Sequence, residues 1–239
     1  MPPSRDHSRT LLCLLACFAA SCSGLEENPG QGEHARTEER IELEQATKLV
    51  SDLIASRRGS SGADTDVSLE ELGTEEMWEV LGVQLYKVIS GLDLWNSFVV
   101  HDGRAHFLAT GFGGHGIQSA CVSDLDGDGE AELTYTYSFG SGVHRSHVAV
   151  FRFAVDGPVQ EEVPMAFVGD LFVRGTARGG VAVEIGQYTF RGLGFEVEAP
   201  MGEVRVDPSG GMLRPHIDLS DLAESYREFV WPDPDQSGG

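Results

Sequence analysis

The sequence predicts a mainly β protein: a single antiparallel β domain, sandwich or barrel-like, with N-terminal helices and a short C-terminal helix. Three observations predict it. From Val83 onward the chain is cut into short β-rich runs separated by glycine turns. In "ELTYTYSF", Leu133, Tyr135, Tyr137 and Phe139 alternate with Thr134, Thr136 and Ser138, the period of a strand with one buried face. In "SFVVHDGRAHFLAT", Asp102-Gly103 stands between two apolar runs, as in a tight hairpin turn.

The elements follow in chain order. Residues 1–22, MPPSRDHSRTLLCLLACFAASC, place Arg5 and Arg9 before an apolar run from Leu11 to Ala20, then small residues and Cys22. That is the layout of an export signal, and the run is shorter than the roughly 20 residues that span a bilayer. Ala19-Ala20-Ser21-Cys22 resembles a lipobox, the site where lipoprotein signal peptidase cuts before a diacylated cysteine. Ala19 stands where that consensus prefers Leu. Leu14-Leu15-Ala16-Cys17 fits the consensus better but leaves a very short apolar core, so Cys22 is the lipidation residue preferred here; an ordinary signal peptide cut nearby is the other reading. Either cut exports the mature chain. Lipidation would tether it to a membrane, and the resemblance to lipoproteins of two-membrane bacteria, with Ser23 rather than Asp after the cysteine, implies the outer membrane where the cell has two.

Residues 23–37, with Pro29 and few apolar side chains, read as a disordered tether. Over 38–58, Leu43, Ala46, Val50, Leu53 and Ile54 recur at helical spacing, with Glu38 and Glu39 at the start, Arg57 and Arg58 at the end and Gly59 to stop the helix. This amphipathic stripe must pack on the domain or pair between chains. Residues 59–67 form a linker. In the β-rich domain, 68–232, Ser68-Leu69-Glu70-Glu71 has the form of a capping box, and Thr74-Glu75-Glu76 opens a short helix through Leu81. Strands are expected over the two arms of the Asp102-Gly103 hairpin and at 117–123, 133–139, 147–153, 163–168, 170–176, 181–190, 194–199 and 203–207. A short closing helix, capped by Asp218 or Ser220, turns Leu222, Tyr226 and Phe229 inward. Residues 233–239 read as a disordered tail.

Charge and cysteine content narrow the function classes. With 17 basic and 38 acidic residues the net charge is −21, a surface that repels nucleic acid and suits divalent cations and cationic partners. Of four cysteines, only Cys121 keeps a thiol after cleavage at Cys22, so no intramolecular disulfide is expected. Cys121 falls in an expected strand and reads as a small buried apolar residue rather than a nucleophile.

The most specific motif is "DLDGDGEAEL". A hard cation such as Ca2+ takes six to eight oxygens at about 2.3–2.6 Å. Asp124, Asp126 and Asp128 occupy loop positions that converge on one point, and Gly129 permits the sharp turn. Glu130 offers a backbone carbonyl, and Glu132 a carboxylate or a water-mediated contact. The alternative is an acidic turn that stays empty. The loop resembles two calcium families. In EF-hand and dockerin loops the twelfth position is an acid, but here it is Tyr135, and no helix flanks the loop. The calcium loop of integrin-like FG-GAP and VCBS repeats, D-x-D-x-D-G-x-x-[D/E] between two strands, is matched closely by "CVSDLDGDGEAELTYTYS". That resemblance implies Asp124, Asp126, Asp128, Glu130 and Glu132 as ligands within loop 124–135, and a structural role for the ion. The motif occurs once, with no period of a propeller, so no propeller fold is expected.

Two glycine-rich segments, "TGFGGHGIQS" and "SFGSGVHRSH", flank the strands on either side of this loop. If those strands pair, His115, His144, Arg145, Ser146 and His147 gather at the opposite end of the sheet. His144 and His147 have an H-x-x-H spacing suited to a transition metal, but residues three apart on a strand point to opposite faces and converge only in a turn. Ordinary hairpin turns with polar histidines are the plainer reading. No nucleophile elbow, Walker loop, H-E-x-x-H or paired-cysteine motif is present.

Two functions are therefore expected, in order. The first is a non-enzymatic exported lipoprotein, calcium-stapled, that binds a protein or glycan at the cell envelope. The second is a metal-assisted hydrolase using His115, His144 and His147. A pocket gathering all three histidines would favour the second; histidines on separate faces would sink it.

Overall fold

The computed structural model describes residues 39–58, 67–89, 95–111, 114–140, 143–154, 157–189, 194–206 and 214–232. The chain divides into two units, Met1–Thr37 and Glu38–Gly239, and every described residue lies in the second. The export signal with Cys22, the tether, linker residues 59–66 and the tail lie outside the described residues. No helix among the described residues is long and apolar enough to cross a membrane.

The fold is mainly antiparallel β, without a closed barrel. After helix α1 (Leu43–Arg58), strands β1 (Leu69–Glu71), β2 (Gln84–Val88), β3 (Trp95–His101) and β4 (Arg104–Thr110) form the first sheet in sequential order. Strands β5 (Gly116–Ser123), β6 (Glu132–Phe139), β7 (Arg145–Ala154), β8 (Gly157–Glu162) and β9 (Met165–Val168) enter the second. Strands β10 (Asp170–Gly175), β11 (Val181–Thr189), β12 (Gly194–Val206) and β13 (Pro215–Asp218) make the third. Strand β14 (Val230–Pro232) returns to the second sheet, whose order is β14-β9-β7-β6-β5, with β8 paired to β7.

The second sheet is the middle layer. On one face, Leu133, Tyr135 and Tyr137 pack with Leu85, Val99 and Leu108 of the first sheet. On the other, Val148 and Phe167 pack with Leu171, Val183 and Met201 of the third. Fully burying such a side chain contributes about 1.5–3 kcal/mol. Helix α1 covers the outer face of the first sheet, where Ala46, Val50 and Ile54 meet Tyr86, Phe98 and Val100. A two-way bond strengthens that docking: Ile41 N–H donates to Gln84 Oε1 at 2.9 Å, and Gln84 Nε2 donates to the Ile41 carbonyl at 3.0 Å. The helical stripe is thus used within the chain. Leu43, expected in it, is 49% exposed, because α1 begins there rather than at residue 38.

Several local expectations hold. Asp102 (φ 49°) and Gly103 (φ 65°) both adopt the positive φ of the predicted hairpin turn. Thr74 Oγ1 accepts the Met77 N–H at 3.3 Å, opening a π-helical turn (Met77–Leu81) that Gly82 ends at φ 64°. Others are corrected. Ser68-Leu69-Glu70-Glu71 leads into β1 instead of a helix, because Leu69 pairs with Val88 at a sheet edge and is buried. The two strands expected over 194–207 are one 13-residue strand, β12, with register shifts against β11. The closing helix is a 3₁₀ helix, Glu224–Phe229, with no side-chain cap; Leu222 is buried, but Phe229 is 37% exposed. Asp218 instead accepts the Ser220 N–H in a turn.

Strand β6 is buried on both faces, where the alternation predicts only one. The third sheet covers Thr134, Thr136 and Ser138 completely. Buried hydroxyls need partners, and they have them: Thr136 Oγ1 lies 2.8 Å from Ser119 Oγ, and Thr134 Oγ1 lies 2.9 Å from Ser123 Oγ. Ser119 Oγ also accepts the Val173 N–H at 2.7 Å, fastening β10 to β5.

Burial pushes the thiol of Cys121 in β5 up to about 12, with the Glu76 carboxylate adding to the effect. The thiolate is the reactive form. Cys121 is therefore expected to resist iodoacetamide at pH 8 in the folded protein and to react fully in denaturant, read by mass spectrometry of its peptide. Equal labelling in both states would show that the site opens readily.

Candidate functional site

The aspartate loop joins β5 and β6, which pair from Gly116↔Ser138 to Ser123↔Glu132. Carboxylate oxygens of Asp124, Asp126 and Asp128 all lie within 4.8 Å of one another, and all three side chains are exposed. The backbone is wound around them. Asp124 Oδ2 accepts the Gly129 N–H at 3.1 Å, Asp126 Oδ1 the Asp128 N–H at 3.2 Å, and Asp128 Oδ1 the Glu130 N–H at 2.7 Å. Gly127 (φ 72°) and Gly129 (φ 88°) take conformations that side-chain-bearing residues resist. Glu130 and Glu132 lie outside the three-carboxylate group. Glu130 is exposed, whereas Glu132, at the head of β6, is only 2% exposed and accepts the Leu125 N–H at 2.9 Å. Its pKa is pushed up to about 7, first by burial and then by the three aspartates; the Leu125 bond opposes the shift. An all-oxygen donor set of this kind fits calcium or magnesium better than a soft metal.

At the other end of the same strands the two glycine-rich segments meet, as their pairing predicts. His115, just before β5, and His144, just before β7, have ring centroids 5.2 Å apart. His147 does not join them. It pairs with Tyr137 across β6–β7 and stacks on Tyr137 and Phe139, with centroids at 5.2 and 5.0 Å, on the face turned toward the first sheet. His144 precedes the strand and lies toward the opposite face, so the H-x-x-H pair is split by strand alternation.

Asp170, the first residue of β10, completes the group that the sequence leaves incomplete. Ligand atoms of His115, His144 and Asp170 all lie within 4.8 Å of one another. His144 Nε2 and Gln118 Nε2 approach Asp170 Oδ1 at 2.9 and 2.8 Å. Gln118 in turn accepts Ser146 Oγ–H at 2.9 Å, and Ser146 Oγ lies 2.6 Å from the Gly169 carbonyl. His115 is fixed through its backbone, which donates to Ser138 Oγ at 3.0 Å. A Cβ on Gly114 would sit 2.4 Å from the Ser138 carbonyl oxygen, so only glycine allows this approach. Burial lowers the His115 pKa; Asp170 opposes this, while His144 and Lys87 add to it. Gln118 also lines a mostly apolar cleft of about 220 Å³, together with Leu72, Met77, Leu85, Ile117 and Val173.

The chain was compared with protein-family models, curated proteins and solved structures, and none of the three comparisons gave a match. The functional reading therefore rests on the residues themselves. Asp170 and Gln118 are the members that sequence reasoning missed. Their only local signal is a Gly-Asp step ahead of an apolar strand, which is also what an ordinary turn looks like.

Proposed function

We propose that the chain is an exported, lipid-anchored binding module of the cell envelope, acylated at Cys22, whose β domain is stapled by one calcium ion. The observation that carries the calcium reading is the convergence of Asp124, Asp126 and Asp128 in a loop that closes two paired strands. Three carboxylates this close repel one another unless a cation sits among them. The loop stands at the tip of a hairpin, at the opposite end of β5 from His115 and Gln118, which favours a structural ion over a catalytic one. The acidic surface argues against nucleic acid and leaves a protein or glycan as partner. The export signal and Cys22 support the membrane anchor. The hydrolase reading loses its third histidine, because His147 lies on the other face of the sheet.

Calorimetric titration of calcium into residues 37–239 tests the staple, with the Asp126→Ala, Asp128→Ala double variant as control. One site is expected, absent from the control. At calcium ten times its Kd the folded state gains about 1.4 kcal/mol, or roughly 3–6 °C in melting temperature. Extracellular calcium modules often bind at about 10⁻⁴–10⁻³ M, so the titration extends into the millimolar range. Neither heat nor a thermal shift there would reduce the loop to an acidic turn. Release of the Cys22→Ala chain from the membrane fraction tests the anchor.

A further inference from the structure

We infer that His115, His144 and Asp170 form a second metal site, distinct from the calcium loop and selective for a divalent transition metal of the zinc type. Two imidazoles and one carboxylate are a donor set that such ions prefer and calcium does not. The three residues come from three places in the chain, brought together by the β5–β6–β7 pairing and by β10 crossing behind it. His144 Nε2 and Asp170 Oδ1 are hydrogen-bonded at 2.9 Å, and a tetrahedral ion about 2.1 Å from each, with a ligand edge of about 3.4 Å, would take the place of that bond by parting them about half an ångström.

The surroundings are built as a metal site's usually are. The Gln118 amide holds Asp170 Oδ1, and Gln118 is itself held by Ser146, which is fully buried. Outer partners of this kind fix the direction of a ligating carboxylate. Gly114 lets the His115 segment lie against β6. All three ligating side chains are half-buried, neither flush with solvent nor sealed from it. Three protein ligands leave at least one coordination position for water or a partner's group, as in open zinc sites. Gln118 links the site to the neighbouring cleft, so a molecule seated in the cleft would lie next to the residue that orients Asp170.

The test uses tag-free protein with calcium held at saturation, titrated with Zn2+ by calorimetry and with Co2+ by visible absorption. One zinc per chain is expected at micromolar concentration, with a cobalt d–d band that zinc abolishes. His144→Gln and Asp170→Asn are expected to remove both signals. Gln118→Leu, which strips only the orienting amide, is expected to weaken zinc about 10- to 100-fold. His147→Gln and the Asp126→Ala, Asp128→Ala pair are expected to keep them. In unmutated protein, paramagnetic Co2+ is expected to shift the imidazole NMR signals of His115 and His144 selectively, a readout independent of whether any variant folds. No zinc binding in the wild type, or binding that survives His144→Gln but fails in the double aspartate variant, would overturn the assignment. So would cobalt shifts confined to other histidines.

Discussion

Gly202→Ala is expected to destabilise the domain by about 3 kcal/mol or more, lowering the melting temperature by roughly 6–12 °C. Gly202 lies in β12 beside β13. A Cβ built there would stand 2.0 Å from the Asp218 carbonyl oxygen and 3.0 Å from Ile217 Cγ2. The obstructing atom is backbone, so it cannot move aside as a flexible side chain would. β13 must shift as a unit, which weakens its pairing through Glu203↔Asp218 and Val204↔Ile217 and lifts Ile217 from the core around Met201 and Val204. Gly186 presents the same case against β12, where the Glu196 carbonyl oxygen would lie 2.3 Å from the new Cβ. Gly175→Ala is the matched control, since its nearest neighbour is the Val122 carbonyl at 3.9 Å. It is expected to be neutral or slightly stabilising, because alanine restricts the unfolded chain. Thermal melts of the three variants decide the matter. Equal behaviour of Gly202→Ala and Gly175→Ala would show that β13 is loosely held.

These glycines mark where sequence reasoning stops. A glycine inside a strand signals close backbone approach or a bulge in general, but what approaches it is set by a strand elsewhere in the chain. Asp102-Gly103 was legible because the turn's requirement is local: two successive positive φ angles. The aspartate loop was legible for the same reason, since Asp124, Asp126 and Asp128 need only a short glycine-bearing loop to converge. The second cluster was half legible. Pairing of β5, β6 and β7 follows from alternating patterns, and it brings His115 to His144. Asp170 arrives 26 residues after His144, through a sheet crossing that no periodicity announces. Burial of the Thr134–Thr136–Ser138 face was illegible for a related reason. Small hydroxyl residues satisfy both a solvated surface and a hydrogen-bonded seam between layers, and only the third sheet tells them apart. Ser68-Leu69-Glu70-Glu71 shows tertiary pairing overriding a local helix signal.

The second large effect is expected at Glu132, and it changes sign with calcium. In chelator, Glu132→Gln is expected to be more stable than the wild type at pH 8, by about 3 kcal/mol relative to their difference at pH 4. The effect comes from the protonation of one buried carboxyl. Burial, with Asp124, Asp126 and Asp128 nearby, pushes its pKa up to about 7, against 4.5 for an ordinary glutamate. A raised pKa means that the folded state holds the proton more tightly than the unfolded one. The associated stability is complete below pH 4.5 and is lost as the pH rises through 7. Glutamine carries no proton to lose, and its amide oxygen still accepts the Leu125 N–H, so the variant escapes this loss. All other ionisable groups contribute equally to both proteins and cancel in the difference. Calcium is expected to reverse the order: a cation among the three aspartates would favour an ionised Glu132, and the wild type would gain binding energy that the amide forgoes. Melting curves of both proteins from pH 4 to 8, with and without calcium, are expected to cross. If Glu132→Gln is the less stable protein in chelator at pH 8, Glu132 is held there as a satisfied carboxylate, and no charge is stored at the head of β6 for calcium to neutralise.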